Sequence, residues 1–160
     1  MNYFSEIPTY VWILFVLTGL SVLWIRFFFS DENQRKIAQN KVEKYFSFLF
    51  AYGFKIDTVD YSPKANGAWT VVLKSDKCKA RIIQDRNYIY CEVIPTWAND
   101  KKYIDISSII ANSENKEKNL FYPQTRRNID IQLEFYGKLF HSYYDHVRSF
   151  IENYPNPVYR

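Results

Sequence analysis

Two histidines, two cysteines and a few aspartates are the residues of this chain with types suited to chemistry. His141 and His146 are five apart, which on a helix is about 140° around the axis, so they do not share a face for a metal. His141 and Asp145 are four apart and can pair. No Ser or Cys nucleophile falls beside them, so a solvated pair is favoured over a catalytic dyad. Cys78 and Cys91 form no CxxC pair and join no His/Cys cluster with metal-ligand spacing. Asp57, Asp60 and Asp76 fall near strand ends, where turn chemistry accounts for Asp76 and extends to Asp60. Paired catalytic carboxylates need a cleft that no pattern here points to. The expectation is no catalytic residue, no cofactor and no metal.

Composition narrows the classes further. Only four glycines occur in 160 residues. A phosphate-cradling loop needs several close together, so that class is disfavoured. The net charge of +4 is spread out, and the densest basic pairs, Lys101-Lys102 and Arg126-Arg127, fall in expected loops. A nucleic-acid binder would mass its Lys and Arg in a stripe with interleaved aromatics, so no nucleic-acid partner is expected. Aromatics reach 19% of the chain, which predicts a bulky, Tyr-edged core.

Residues Tyr10 to Ile25 read YVWILFVLTGLSVLWI without a charge. With flanking Pro8, Thr9 and Arg26 to Phe29 this gives roughly 20 residues, about 30 Å of helix, the thickness of a bilayer core. Tyr10, Trp12 and Trp24 sit near its ends as an aromatic belt would, and Arg26 can snorkel. A buried core helix of this length would show a polar face. A cleaved leader would want a basic start and small residues at its end, and MNYFSEIP and RFFFSDEN supply neither. The spacing therefore predicts one transmembrane helix over about 8–29 in a 1–30 segment. Arg26, Arg35, Lys36, Lys41 and Lys44 follow it and no Lys or Arg precedes it. That asymmetry predicts a single pass through a cell inner membrane, with the N-terminus outside and the rest cytoplasmic. Thr18, Gly19 and Ser21 form a strip of small residues able to contact another membrane helix.

Residues 31–160 read as one α+β domain. Ala38, Val42, Tyr45, Leu49 and Tyr52 recur at helical spacing, with Ser30 or Asp31 as N-cap and Gly53 as stop. The period then changes to two. Residues 55–61 make a first, less definite strand, and 62–67 are turn chemistry. Trp69 to Lys74, Cys78 to Ile83 and Tyr88 to Val93 form an antiparallel meander. Loops at Ser75-Asp76 and around Asp85-Arg86, with Asn87 suited to a left-handed conformation, pair Leu73 with Cys78, Val71 with Ala80, Ile82 with Ile89 and Ala80 with Cys91. Both thiols then face the core on diagonal positions, and on the other face Lys79 pairs with Glu92 and Arg81 with Tyr90. Tyr103 to Ala111 is expected to be a short helix and 112–127 polar, anchored at Leu120 to Pro123. Thr125 or Asn128 would cap a last helix carrying Ile129, Leu133, Tyr136, Phe140, Tyr143, Val147 and Ile151, ended by Tyr154 to Pro157. The architecture is helix, meander of three or four strands, short helix, long helix.

The outer sheet face is the expected contact surface: Lys79, Arg81, Tyr88, Tyr90 and Glu92, with Trp97 in a nearby loop. Tyr and Arg are favoured at protein interfaces.

Gly53-Phe54, Gly67-Ala68-Trp69, Val72-Leu73-Lys74-Ser75 and Asp85-Arg86 resemble the motifs of small bacterial immunity-type and uncharacterised α+β proteins. The resemblance covers about a third of the chain. It implies an α+β fold and a non-enzymatic, partner-binding role, and it transfers no site residue. The expected function is a membrane-anchored protein whose cytoplasmic domain binds a protein partner, immunity-type or an accessory of a membrane-associated system. The competing classes are a membrane-surface enzyme or ligand-binding domain, and a structural subunit packing through its transmembrane helix.

Overall fold

The computed structural model describes residues 9–28, 30–98, 102–114 and 128–155, with the side chains of 9 and 23–28 outside the description. Contacts divide the chain into two units, Met1–Gln34 and Arg35–Arg160.

The first unit holds α1, Thr9–Phe28, 20 residues long. Its run of Ile, Leu, Val and Phe has no charge until Arg26. The side chains from 12 to 22, which face every direction around the axis, are all exposed. Among the described residues no helix is long and apolar enough to cross a membrane. The side chains described for α1 are those of 10–22 alone. The helix expected over about 8–29 is present, and a crossing of the bilayer is not shown by it. The next helix is α2, Asp31–Tyr45. Ser30 caps α2: its carbonyl accepts from the Gln34 N–H at 3.0 Å and its hydroxyl from the Asn33 N–H at 3.3 Å. Acidic Asp31 and Glu32 in the first turn and Lys44 in the last suit the helix dipole.

The second unit is α+β. After α2 come α3 (Ser47–Ala51), β1 (Lys55–Ser62), a short 3-10 turn (Pro63–Ala65), β2 (Ala68–Lys74), β3 (Cys78–Asp85), β4 (Tyr88–Pro95), β5 (Ile104–Asp105), α4 (Ile106–Glu114), α5 (Ile129–Ser142) and α6 (Tyr144–Glu152). The sheet is antiparallel in the order β1-β2-β3-β4-β5. The meander is thus confirmed, and the first strand is firm.

Strand parity is as expected and the register is not. Leu73 pairs with Ala80, Val71 with Ile82, Ala80 with Val93 and Ile82 with Cys91. Each hairpin has slipped by two residues from the expected pairing, which leaves every side chain on its expected face. Turn chemistry explains the slip. Ser75 pairs with Cys78, its N–H donating to the Cys78 carbonyl at 2.8 Å and its hydroxyl accepting from the Cys78 N–H at 3.1 Å. The turn is therefore Asp76-Lys77. In the next hairpin Asp85 pairs with Tyr88, and Arg86 takes the left-handed conformation (φ 56°) expected of Asn87. Gln132 of α5 holds that turn: its amide oxygen accepts from the Ile89 N–H at 3.0 Å and its NH₂ donates to the Asn87 carbonyl at 2.8 Å.

Trp69, Val71, Leu73, Ala80, Ile82, Cys91 and Val93 form the buried face. Residues of all five helices of the unit pack against it in one cluster, including Val42, Leu49, Ile106, Leu133, Phe140 and Ile151. Burying a side chain such as Leu or Ile is worth about 1.5–3 kcal/mol, so this face is the main stabilising layer.

The helices are more broken than the periodicity predicts. The helix expected to end at Gly53 stops at Tyr45 and resumes as α3 beyond Phe46 (φ −118°). Gly53 (φ 85°) ends it as expected, and the Phe54 N–H returns to the Leu49 carbonyl at 3.1 Å. The last helix breaks at Tyr143 into α5 and α6. Asn128 caps α5, accepting from the Asp130 and Ile131 N–H groups. The helix expected from Tyr103 begins instead at Ile106. Ile104-Asp105 pairs with β4, and the Asp105 carboxylate caps α4 by accepting from the Ser107 and Ser108 N–H groups at 2.8 and 3.3 Å. The expected anchor at Leu120 to Pro123 lies outside the described residues.

A side chain at Gly137 would run into the Tyr45 carbonyl oxygen, so α5 crosses the end of α2 with backbone touching backbone. Gly137→Ala is expected to cost about 1–3 kcal/mol through this clash, despite the better helix propensity of Ala. Thermal unfolding checks it, with exposed Lys138→Ala on the same helix as the control expected to change little.

Candidate interaction surfaces

The expected contact residues separate into groups. On the outer sheet face Arg81 sits opposite Glu92, not opposite Tyr90. Its Nε and Nη2 both donate to Glu92 Oε2, at 2.9 and 2.5 Å. The guanidinium lies 4.0 Å over the ring of Tyr103, which precedes β5. Both partners are half-buried. The charges are thus already matched, and the pair supplies a fixed, polar floor.

Tyr88 and Tyr90 stand beside it with ring centroids 6.4 Å apart, both exposed. Tyr90 pairs with Ile83 and Ile83 with Thr70; Arg81 pairs with Val72. Together they make a belt of Thr, Ile, Val and Tyr side chains across three strands, half-buried away from the two tyrosines. Lys79 pairs with Ile94 and Lys74, with no pairing to Glu92, and Ile94 is fully buried, so the accessible part narrows to the Tyr88 end. Trp97 is not part of this surface. Its ring lies 5.8 Å from that of Tyr154, which in turn meets Phe150.

The chemistry candidates disperse. His141 stacks its ring on Phe48 at 4.7 Å, and Asp145 belongs to α6 beyond the break at Tyr143. His146 lies against Tyr143. Asp57 falls at a bulge of the edge strand β1, Asp60 on that strand and Asp76 in a turn, all exposed. Among the described residues no group of three or more His, Cys, Asp or Glu is placed to hold a metal. Thr18 and Ser21 of α1 direct their hydroxyls to carbonyls of their own helix, those of Leu14, Phe15 and Thr18. The strip they form with Gly19 is thereby smooth, with its hydrogen bonds kept inside the helix.

Both cysteines are buried and free, as the strand parity requires. The two-residue slip takes them further apart than expected. Cys78 faces Pro95, four residues along β4 from Cys91, about 13 Å at the rise of a strand, so no disulfide can join them. Burial raises the Cys91 thiol well above its ordinary value, and neighbouring Asp105 and Glu92 push the same way. Burial likewise pushes Cys78 from 9.0 up to about 12, against a smaller lowering by a backbone hydrogen bond from Ile94.

One feature was not legible in the sequence. Between the end of α3, the β2–β3 turn and α6 lies a groove of about 300 Å³. Tyr52 and Tyr144 stack across its side at 3.9 Å and 10°. Lys77 and Arg148 meet at its mouth on one oxygen of Glu152, at 2.9 and 3.1 Å. Its walls come from residues 52–54, 75–78 and 140–152, and nothing short of the fold brings those together.

Comparison with protein-family models, with characterised proteins and with solved structures finds no match. The site must be read from its own geometry.

The thiol environment gives a test. A thiol pushed up keeps its proton in the folded state after the unfolded chain would lose it. The thiols' contribution to stability is therefore level below pH 9 and falls as the pH rises from about 9 toward 12. Denaturant midpoints at pH 8 and pH 10.5 should differ, and Cys78→Ala should reduce the difference. Reaction of Cys78 with a thiol reagent should be slow at pH 8, where a solvated thiol is partly thiolate.

Proposed function

We propose that this chain is a single-pass membrane protein whose α+β domain binds a protein partner on the cytoplasmic side without catalysing a reaction. The observation that carries the tether is α1. Its side chains from 12 to 22 are exposed on all sides and almost wholly apolar. A helix apolar all round is stable only when its whole circumference is covered, and lipid covers it. The backbone helix is 20 residues, about 30 Å, which suits a bilayer core. The basic residues after it, from Arg26 to Lys44, support a cytoplasmic domain.

The binding role rests on the outer sheet face. Tyr88 and Tyr90 are exposed side by side next to a charge pair that is already satisfied. Rigid, amphipathic aromatics beside a preorganised polar group are what interface centres are made of. The resemblance to immunity-type proteins points to the same role, with a toxin or a component of a membrane-associated system as the partner class.

Two measurements test this. The full chain should stay with membranes through an alkaline carbonate wash, and a chain starting at Ser30 should be released; retention of the shorter chain would locate the anchor elsewhere. Starting at Ser30 keeps the cap of α2. Affinity capture from solubilised membranes should recover a partner that Tyr88→Ala/Tyr90→Ala loses. Each tyrosine at an interface centre is worth about 2 kcal/mol, so the pair weakens binding by well over tenfold. A partner held as tightly by the variant would remove the sheet face from the interface.

A further inference from the structure

We propose that the groove between α3, the β2–β3 turn and α6 binds a small planar aromatic acid. The inference does not rest on the sheet-face reading, since the two surfaces share no residue. The groove's volume of about 300 Å³ is at the lower end for ligand pockets, room for a two-ring molecule and not for a nucleotide. Its open side is aromatic: Tyr52 and Tyr144 stack on one another at 3.9 Å, over the buried rings of Phe54 and Phe140. Val147 and Ile151 complete an apolar interior. Flat walls of this kind favour a flat guest, because ring pairs gain beyond the area they bury.

The mouth selects the charge of the guest. Lys77 Nζ and Arg148 Nε both donate to Glu152 Oε1. This oxygen marks a place where the fold already puts a carboxylate between two cations. The Lys77 and Arg148 side chains are 67% and 57% exposed, and their remaining N–H groups have no other partner among the described residues. A guest carboxylate can take those donors beside Glu152 while its rings enter the groove. Asp76 also lines the groove, so the mouth is close to neutral and selection comes from contact at short range, not from a long-range field.

The test titrates 2-naphthoate into the full chain in zwitterionic lipid nanodiscs, with empty discs as the blank. Saturable one-site binding is expected. The uncharged analogue 2-naphthalenemethanol should bind about fivefold more weakly, and Lys77→Ala/Arg148→Ala should weaken naphthoate by a similar factor, the scale of solvent-exposed charge pairs. Tyr52→Ala should weaken both ligands. Glu152→Gln removes the competing carboxylate and should tighten naphthoate, a gain that misfolding cannot imitate. The proposal is overturned if naphthoate does not saturate above empty discs, or if the alcohol binds as well as the acid. It is also overturned if decanoate, an acid without rings, binds as tightly, or if Glu152→Gln weakens naphthoate.

Discussion

The crossing of α5 over the end of α2 sets the geometry of the second unit. Gly137 brings the two backbones to contact at the Tyr45 carbonyl. Where α5 crosses, α2 ends; Phe46 turns inward, fully buried, and α3 leads off in a new direction. Phe48 of α3 then meets Phe140 and His141 of α5, and Tyr52 reaches Tyr144 of α6. The Lys41–Asp130 ion pair holds the start of α5 to α2. The α3 and α6 walls of the groove thus follow on from this close approach, and the β2–β3 turn supplies the third. The same crossing presses Leu133, Tyr136 and Phe140 onto the sheet, which leaves the opposite sheet face as the binding candidate.

Much of this was readable from residue order, and the failures have definite causes. Which face each strand residue takes depends only on alternation, and every assignment from Trp69 to Val93 held. Register depends on which residues form the turn, and there competing chemistries were close. Ser75 suits a turn position by its type. It acts as a turn closer through its hydroxyl. Asn87 suits a left-handed conformation by type, and that conformation costs an ordinary residue such as Arg86 about 1–2 kcal/mol. The Gln132 clamp on Asn87 and Ile89, formed from α5 more than forty positions later, fixes the turn regardless. Apolar spacing likewise carried across Phe46 and Tyr143 without showing the breaks, because a kinked helix still presents one stripe to the core.

The contact residues show a second kind of limit. Arg81, Glu92, Tyr88 and Tyr90 were all legible as one face of a meander. Whether the arginine was available or already satisfied was not, because that depends on the slip that sets it against Glu92 and on Tyr103 arriving through β5. Trp97 looked adjacent in sequence, and its contact with Tyr154 draws it to the α6 end. The groove left no trace in any single segment, since its lining is drawn from three.

The bulge in β1 has a consequence for the outer edge of the sheet. β1 is the long outer strand of the sheet, and its Thr58, Val59 and Asp60 positions pair inward with β2. A bare strand edge, with its unpaired N–H and C=O groups, is where copies of a sheet zip together. The register break between Ile56 and Thr58 interrupts the regular ladder such zipping needs, and Asp57 and Asp60 place like charges where two copies would meet. The irregularity thereby disfavours edge-to-edge pairing through β1.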